Sequence, residues 1–345
     1  MTARRAAGAV DAELVTLDHS VDLDAELPEL WRVSDAARRD AGEIDRSTLE
    51  GMSAYYRNLD HCDPSTDLVI ARRGTEVIGY ARIEWSDSTD GERWYAAACF
   101  VHPDARGTGV GRRLLDWSEE RRLEVAAGQA SEAPDRRRWL TTFLHDGDRA
   151  GAALLRSAGY EPFRTFHSMR RPDLEAIPDL PLPAGIEVRP VPNEPAAIRA
   201  IVAADSEAFQ DHFGSVDDTD TVYRMIVEDP GTDLSLWVVA FDGDEVAGAV
   251  LNGIRPSADG EPVGWLDSIF TRRPWRKRGL ARSLIARSLG VLRERGATSA
   301  ALGVDAANPN RALALYESCG FVVASSSTAY RKPLPAPTTG DPRRS

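Results

Sequence analysis

The chain has 345 residues, 42% of them hydrophobic and 28% charged, with a formal net charge of −12. That length suits two domains of roughly 150 residues each, and the balance is that of a folded soluble protein rather than a disordered one. The negative charge argues against a nucleic-acid binder, which needs a basic face, and against a polybasic membrane anchor; it would suit a cationic small substrate.

Residues 1–10 lack the apolar run of a signal peptide. No stretch approaches the ~20 apolar residues of a membrane span. Cys62, Cys99 and Cys319 are far apart and odd in number, with neither metal-ligand nor disulfide spacing. A reducing cytoplasm accounts for them, and Cys319, beside Gly320, reads as packing.

In the first half, strands are predicted at 68–71, 76–85 and 94–101, then a helix from about Gly109 and a strand at 139–144. Residues 171–185 hold Pro172, Pro178, Pro181, Pro183 and Gly185, a linker composition. The second half opens with a strand at Ile186. A strand at 236–241 then turns at Asp242-Gly243 into another at 245–252. A strand at 265–271 precedes a helix over 279–295, stopped by Gly296. A strand at 299–304 leads to a short helix that starts near Pro309 and ends at Gly320. Stretches 321–324 and 329–332 are predicted to close the sheet. The tail from 334 to 345, with its prolines and basic residues, reads as disordered.

The two halves repeat one another. Arg106-Gly107-Thr108-Gly109-Val110-Gly111 answers Arg276-Lys277-Arg278-Gly279-Leu280-Ala281, each after an apolar strand and before an amphipathic helix. Upstream, Val77-Ile78-Gly79 answers Val246-Ala247-Gly248. Downstream, Ser157-Ala158-Gly159-Tyr160 answers Ser318-Cys319-Gly320-Phe321, and Met169-Arg170-Arg171-Pro172 answers Tyr330-Arg331-Lys332-Pro333. The period is far too long for a solenoid. The chain is therefore expected to be a duplicated domain, 1–172 and 186–333, joined by a linker over 173–185.

A strand, a basic glycine loop and a helix make a pyrophosphate cradle. The helix start offers free N–H groups and a partial positive charge, glycine admits a phosphate close to the backbone, and Arg276, Lys277, Arg278 and Arg282 add countercharge. A plain surface turn would show the same glycines. The spacing is not that of the dinucleotide fingerprint, and the P-loop ending is absent.

These loops resemble the Arg/Gln-x-x-Gly-x-Gly/Ala signature of the GNAT superfamily of N-acetyltransferases. Asn308-Pro309-Asn310-Arg311-Ala312, running on through Tyr316 to Gly320-Phe321, is similar to that family's second motif. The resemblance is close over 186–333 and weaker over 10–172. The tandem layout is similar to that of mycothiol synthase and its relatives, as architecture alone.

The resemblance implies an α/β fold with a mixed sheet in each of two tandem GNAT domains. Acetyl-CoA would be the cosubstrate, with no metal, and the acetyl group would pass directly to a primary amine of a small molecule. Ile269, Phe270 and Thr271 would offer main-chain groups to the acyl arm, while the 276–282 loop, with Leu280 and Ala281 opening the helix, and Asn308 would complete the cofactor side. Tyr316 falls at the position that protonates the leaving thiolate.

The first copy keeps Phe100, Val101 and the loop from Arg106 to Gly111, Thr108 and Val110 included. Aligned on its glycine, it puts Leu155 opposite Tyr316 and Gly147 opposite Asn308. Leucine cannot donate a proton, so the first copy is expected to be inactive, with CoA binding there still open.

The amine must shed a proton before it attacks. Asp267 is the first candidate base, with Glu207, Asp211 and His212 as alternatives. A non-catalytic acyl-CoA sensor is the rival reading, and Tyr316 with Asn308 argues for the enzyme. The assembly could be a monomer or a homodimer, since two fused copies can mimic a dimer's pairing.

Overall fold

The computed structural model describes residues 15–334 except 20, 44–47, 130, 133–134, 211–218, 258 and 309–311. Residues 1–10, Asp211, His212, Pro309 and the tail beyond 334 therefore lie outside the described residues.

In the first copy, β1 (Val15–Asp18) is followed by α1 (Leu23–Ala41), α2 (Leu49–Arg57) and the single turn α3 (Pro64–Asp67). Asp22, Thr48 and Asp63 cap these helices through their side chains. Then come β2 (Leu68–Arg73), β3 (Glu76–Asp87), β4 (Glu92–Val101), α4 (Val110–Gly128), β5 (Arg137–His145), α5 (Arg149–Ser157) and β6 (Glu161–Arg171). The second copy repeats the order with β7 (Ile186–Arg189), α6 (Pro195–Phe209), α7 (Thr219–Glu228), β8 (Val238–Asp242), β9 (Glu245–Pro256) and β10 (Pro262–Thr271). It ends with α8 (Leu280–Glu294), β11 (Ser299–Asp305), α9 (Ala312–Ser318) and β12 (Val322–Pro333).

The repeat is visible in backbone detail. A Cβ on Gly79 would sit 2.9 Å from the Phe100 carbonyl oxygen, and one on Gly248 would sit 2.6 Å from that of Phe270. Only glycine lets the two strands approach this closely at those points. At the other end, the Tyr160 N–H donates to the Leu155 carbonyl as the Phe321 N–H donates to that of Tyr316. Leu155 and Tyr316 are therefore equivalent in space as well as in alignment.

The twelve strands of the described residues form one sheet, in the order β1-β2-β3-β4-β5-β12-β6-β11-β10-β9-β8-β7. Each copy contributes a single closing strand, and the two are exchanged. β6 of the first copy runs antiparallel to β11 of the second, from Arg171 opposite Ala300 to Phe166 opposite Asp305. β12 runs between β5 and β6. In the exchange β12 covers the edge of β5 and β6 covers that of β11, so neither edge is left unpaired. The chain divides into two copies along its length, but neither completes its sheet without the other.

The two closing strands expected at 321–324 and 329–332 are one strand, β12, with irregular register between Val323 and Ser325 and again between Ala329 and Tyr330. Its run Ser325-Ser326-Ser327 has the composition of a loop, yet β6 pairs all three serines and β5 joins from Ser327 onward. Residues 172–185 carry no helix or strand but are no free tether. Leu174 is buried in the second copy's core, and Ser283 and Arg278 donate to the Pro181 and Ala184 carbonyls.

The second sheet half has a core on each face. Leu280, Leu284, Leu289 and Leu292 of α8 pack on one side, and Ile198, Ile201 and Val202 of α6 on the other.

Candidate active site

β10 and β11 are parallel neighbours only from Val263–Ser299 to Trp265–Ala301. Past that point they separate, leaving Leu266–Thr271 unpaired on the β11 side. A register shift between Leu266 and Ser268 marks a bulge at Asp267, which locally increases twist and re-aims side chains. In the first copy, β4 and β5 stay paired for six positions, from Glu92–Arg137 to Ala97–Thr142. Its split is shallower.

The second split opens into a cleft of about 1030 Å³. Asp267, Ile269, Phe270, Thr271, Arg276, Lys277, Gly279, Leu280, Ala281, Arg282, Asn308 and Tyr316 all line it. Residues from β10, the following loop, α8, the turn after β11 and α9 thus converge on one cavity. Arg278 is not among the lining residues; its guanidinium goes to the Ala184 carbonyl at 3.2 Å. Arg276 reaches the cleft, but it also donates to the Thr271 and Ala208 carbonyls at 3.0 and 2.9 Å, which ties the loop to α6.

The loop takes left-handed backbone where it borders the cleft. Gly279 has φ of 83° and caps α8, so the first N–H groups of that helix face the cleft unspent. Lys277 has φ of 62°, where the first copy has Gly107 at 75°. A left-handed lysine costs roughly 1–2 kcal/mol. We expect Lys277→Gly to leave the melting temperature unchanged or higher and to weaken acetyl-CoA binding. Loss of stability with unchanged affinity would assign Lys277 a structural role.

Tyr316 is buried, 7% exposed, and its ring meets that of Phe321 edge-on. Its hydroxyl has no hydrogen-bond partner among the described residues. Burial, with Cys319 beside it, pushes its pKa up to about 12, so at neutral pH it holds its proton. The Asn308 N–H donates to the Asp305 carbonyl as that of Asp148 does to His145. By this turn Asp148, rather than Gly147, is the first-copy counterpart of Asn308.

Asp267 lies at the cleft rim in an ion pair with Arg255 at 2.7 Å. Glu207 is paired with Arg272 at 2.8 Å. Two carboxylates on the cleft wall were missed by sequence reasoning: Asp305, which is paired with Arg164, and Asp205, on α6, which accepts a hydrogen bond from the Ser268 hydroxyl. Burial raises its pKa from 3.8 to about 6, against the lowering effect of Ser268. A signal existed. Ile198, Ile201, Val202, Asp205 and Ala208 fall at helical spacing on one stripe, and an acid on a core-facing stripe is an anomaly.

The charge on Asp205 costs stability only where it exists. Its folded pKa lies above its unfolded one, so the cost is absent below pH 4, grows toward pH 6 and is complete above it. Asp205→Asn is expected to stabilise the protein by up to about 3 kcal/mol at pH 8 and by nothing at pH 3.5. A pH-independent effect in chemical denaturation would contradict this.

In the first copy the end of α1 covers the corresponding place. Arg106 is paired with Asp40, and the Arg38 guanidinium lies 5.5 Å from the centre of the Phe100 ring. A Cβ on Gly147 would fall 1.9 Å from the Ala41 carbonyl oxygen. Arg112 and Arg113 donate to Ser157 and to the Val15 carbonyl. The end of α1 thus bridges the loop after β4 and the turn after β5.

Among the described residues, no group of three or more His, Cys, Asp or Glu could hold a metal ion, and no helix is long and apolar enough to cross a membrane. The three cysteines are free.

The chain is 28% identical over 322 residues to a mycothiol acetyltransferase from a Nocardioides species, covering 90% of this chain and 97% of that one. It is 32% identical over 274 residues to the mycothiol acetyltransferase of Catenulispora acidiphila, covering 76% and 80%. In fold it is similar to a GCN5-related N-acetyltransferase from Sphaerobacter thermophilus, with TM-score 0.69 and 24% identity over 93% of this chain and 96% of that one. A tandem GNAT protein from the clavulanic acid biosynthesis pathway gives TM-score 0.65 at 17% identity, over 92% and 98%. The model of the Acetyltransferase (GNAT) family matches residues 35–160 and again 198–321. The chain belongs to this family, as a tandem-domain N-acetyltransferase.

Proposed function

We propose that the chain transfers an acetyl group from acetyl-CoA directly to a primary amine of a small molecule, in the cleft of the copy spanning 186–333. The observation that carries this reading is the convergence, in one split of the sheet, of unpaired β10 backbone, the strained basic loop and Tyr316. The copy spanning 1–172 is its structural partner: it has Leu155 in place of Tyr316, a shallower split and the end of α1 across its mouth.

The residues divide the work. Main-chain groups of Ile269, Phe270 and Thr271 align the acyl arm, which fits because β11 leaves them unpaired. Lys277, Arg282 and the first N–H groups of α8 hold the pyrophosphate, and Arg276 fixes their loop against α6. Asn308 sets the turn that leads toward Tyr316. The acceptor nitrogen attacks the thioester carbonyl, the carbon–sulfur bond breaks, and the Tyr316 hydroxyl donates to the charge appearing on sulfur.

The similarity to mycothiol acetyltransferases puts mycothiol-related amines first among the acceptors to test. The experiment is acetyl-CoA turnover over a panel of such amines, amino sugars, polyamines and amino acids, detecting free CoA. Turnover with one class supports the reading. Acetyl-CoA binding without turnover on any amine would favour a sensor.

A further inference from the structure

We propose that Asp205, on the α6 wall of the cleft, receives the acceptor's ammonium and takes the proton that the amine must lose. This rests on the acetyltransferase reading above and assigns a group to its acceptor end.

The carboxylates around the cleft are not alike. Asp267 is paired with Arg255, Asp305 with Arg164 and, on the same helix as Asp205, Glu207 with Arg272. Among the described residues Asp205 has no cationic partner; its hydrogen bond comes from Ser268. A carboxylate withdrawn from water without a countercharge is costly. A ligand ammonium supplies the missing charge.

The position suits the chemistry. Ser268 immediately follows the bulge at Asp267, so Asp205 is held beside the strand whose backbone aligns the acyl arm. Tyr316 lines the same cleft from α9. Proton acceptor and proton donor thus come from different walls of one cavity.

Phe209 of α6 and Phe166 of β6 add apolar surface. Phe166 comes from the first copy and reaches the cleft only because its strand is exchanged. The acceptor end therefore fits a cationic amine carried on a frame with an apolar face.

The step balances as follows. The Asp205 carboxylate takes one proton from R–NH₃⁺, leaving the lone pair on nitrogen. The nitrogen–carbon bond forms and the carbon–sulfur bond breaks. Tyr316 donates to sulfur, and the second proton lost by nitrogen restores the phenol. Asp205 then releases its proton to solvent, so that R–NH₃⁺ and acetyl-CoA give the amide, CoA thiol and one proton.

The charged and titratable groups around this cleft are Glu207 on α6, Asp267 on β10, Asp305 on β11, Arg276 and Lys277 on the loop, Arg282 on α8 and Tyr316 on α9; neither Lys277 nor Arg282 is among the groups that act on Asp205. The three other carboxylates have the arginine partners named above, and Arg276 is bound to carbonyls. Burial and the Ser268 hydrogen bond are what act on Asp205, which titrates near 6.

The test is kcat/KM against pH for the best amine of the panel, with Asp205→Asn, Ser268→Ala and Asp267→Asn. The wild-type protein is expected to show an acidic limb near pH 6. Asp205→Asn should lose that limb and about 10²–10³-fold in kcat/KM, with acetyl-CoA affinity kept. Ser268→Ala should move the limb to higher pH, because Ser268 holds the carboxylate charged. Asp267→Asn should keep it. A quaternary ammonium analogue of the acceptor should inhibit the wild-type protein better than its neutral isostere, and Asp205→Asn should lose that preference. An unchanged limb in both Asp205→Asn and Ser268→Ala, or its loss in Asp267→Asn alone, overturns the proposal. Absence of wild-type turnover on every amine instead overturns the acetyltransferase reading, and the proposal falls with it.

Discussion

Replacing Tyr316 with phenylalanine is expected to lower kcat by about 10²–10⁴-fold, the usual share of a positioned proton donor, with acetyl-CoA affinity unchanged. The ring keeps its packing against Phe321, so folding should not suffer. The reason lies in the environment of the hydroxyl. Burial holds the phenol protonated, with a pKa of about 12, while a CoA thiol of ordinary acidity ionises near 8.5. Complete transfer to a free thiolate would thus be uphill by about 3–4 pH units. In the proposed reaction Tyr316 accordingly works by donating to charge as it develops on sulfur, and the proton released by the nitrogen keeps the balance. Single-turnover rates beside calorimetric binding check this. A variant that binds acetyl-CoA normally and transfers at the wild-type rate would remove Tyr316 from the chemistry.

The parts of this site that could be read in the sequence are those carried by local grammar. The strand, loop and helix around Gly279 announce themselves through glycine, basic residues and helical periodicity within about twenty residues. The equivalence of Leu155 and Tyr316 follows from a repeat that is counted, not folded. The exchanged strands have no such signature. β6 and β12 pair with elements far away in the chain, and nothing in their own composition names the partner. The same non-locality hid Phe166 from the acceptor wall. Asp267 illustrates the opposite limit. Its place beside the loop was legible, but a bulge and an arginine twelve residues upstream decide what its carboxylate does.

The final expectation separates the two copies by a matched pair of substitutions. Gly279 and Gly109 cap equivalent helices with φ of 83° and 89°. Proline, fixed near −65°, fits neither and removes an N–H at each. Gly279→Pro and Gly109→Pro therefore impose the same local strain, about 3 kcal/mol, and should lower the melting temperature alike. Their effects on ligand should differ. In the second copy the loop borders a cleft with unpaired β10 backbone, and affinity for acetyl-CoA is expected to fall on the order of 100-fold or more, the scale of losing preorganised donors to an anion. In the first copy, Arg106 is paired with Asp40 and the end of α1 packs against the turn at Gly147, so no loss of affinity is expected from that loop. Calorimetric titration should give one acetyl-CoA per chain for the wild-type protein and for Gly109→Pro, and none for Gly279→Pro. Two per chain would show that α1 moves aside and that the first copy binds as well. Binding that survives Gly279→Pro but disappears in Gly109→Pro would move the working cleft to the first copy, and Leu155 would then have to be reconciled with a reaction that needs a proton.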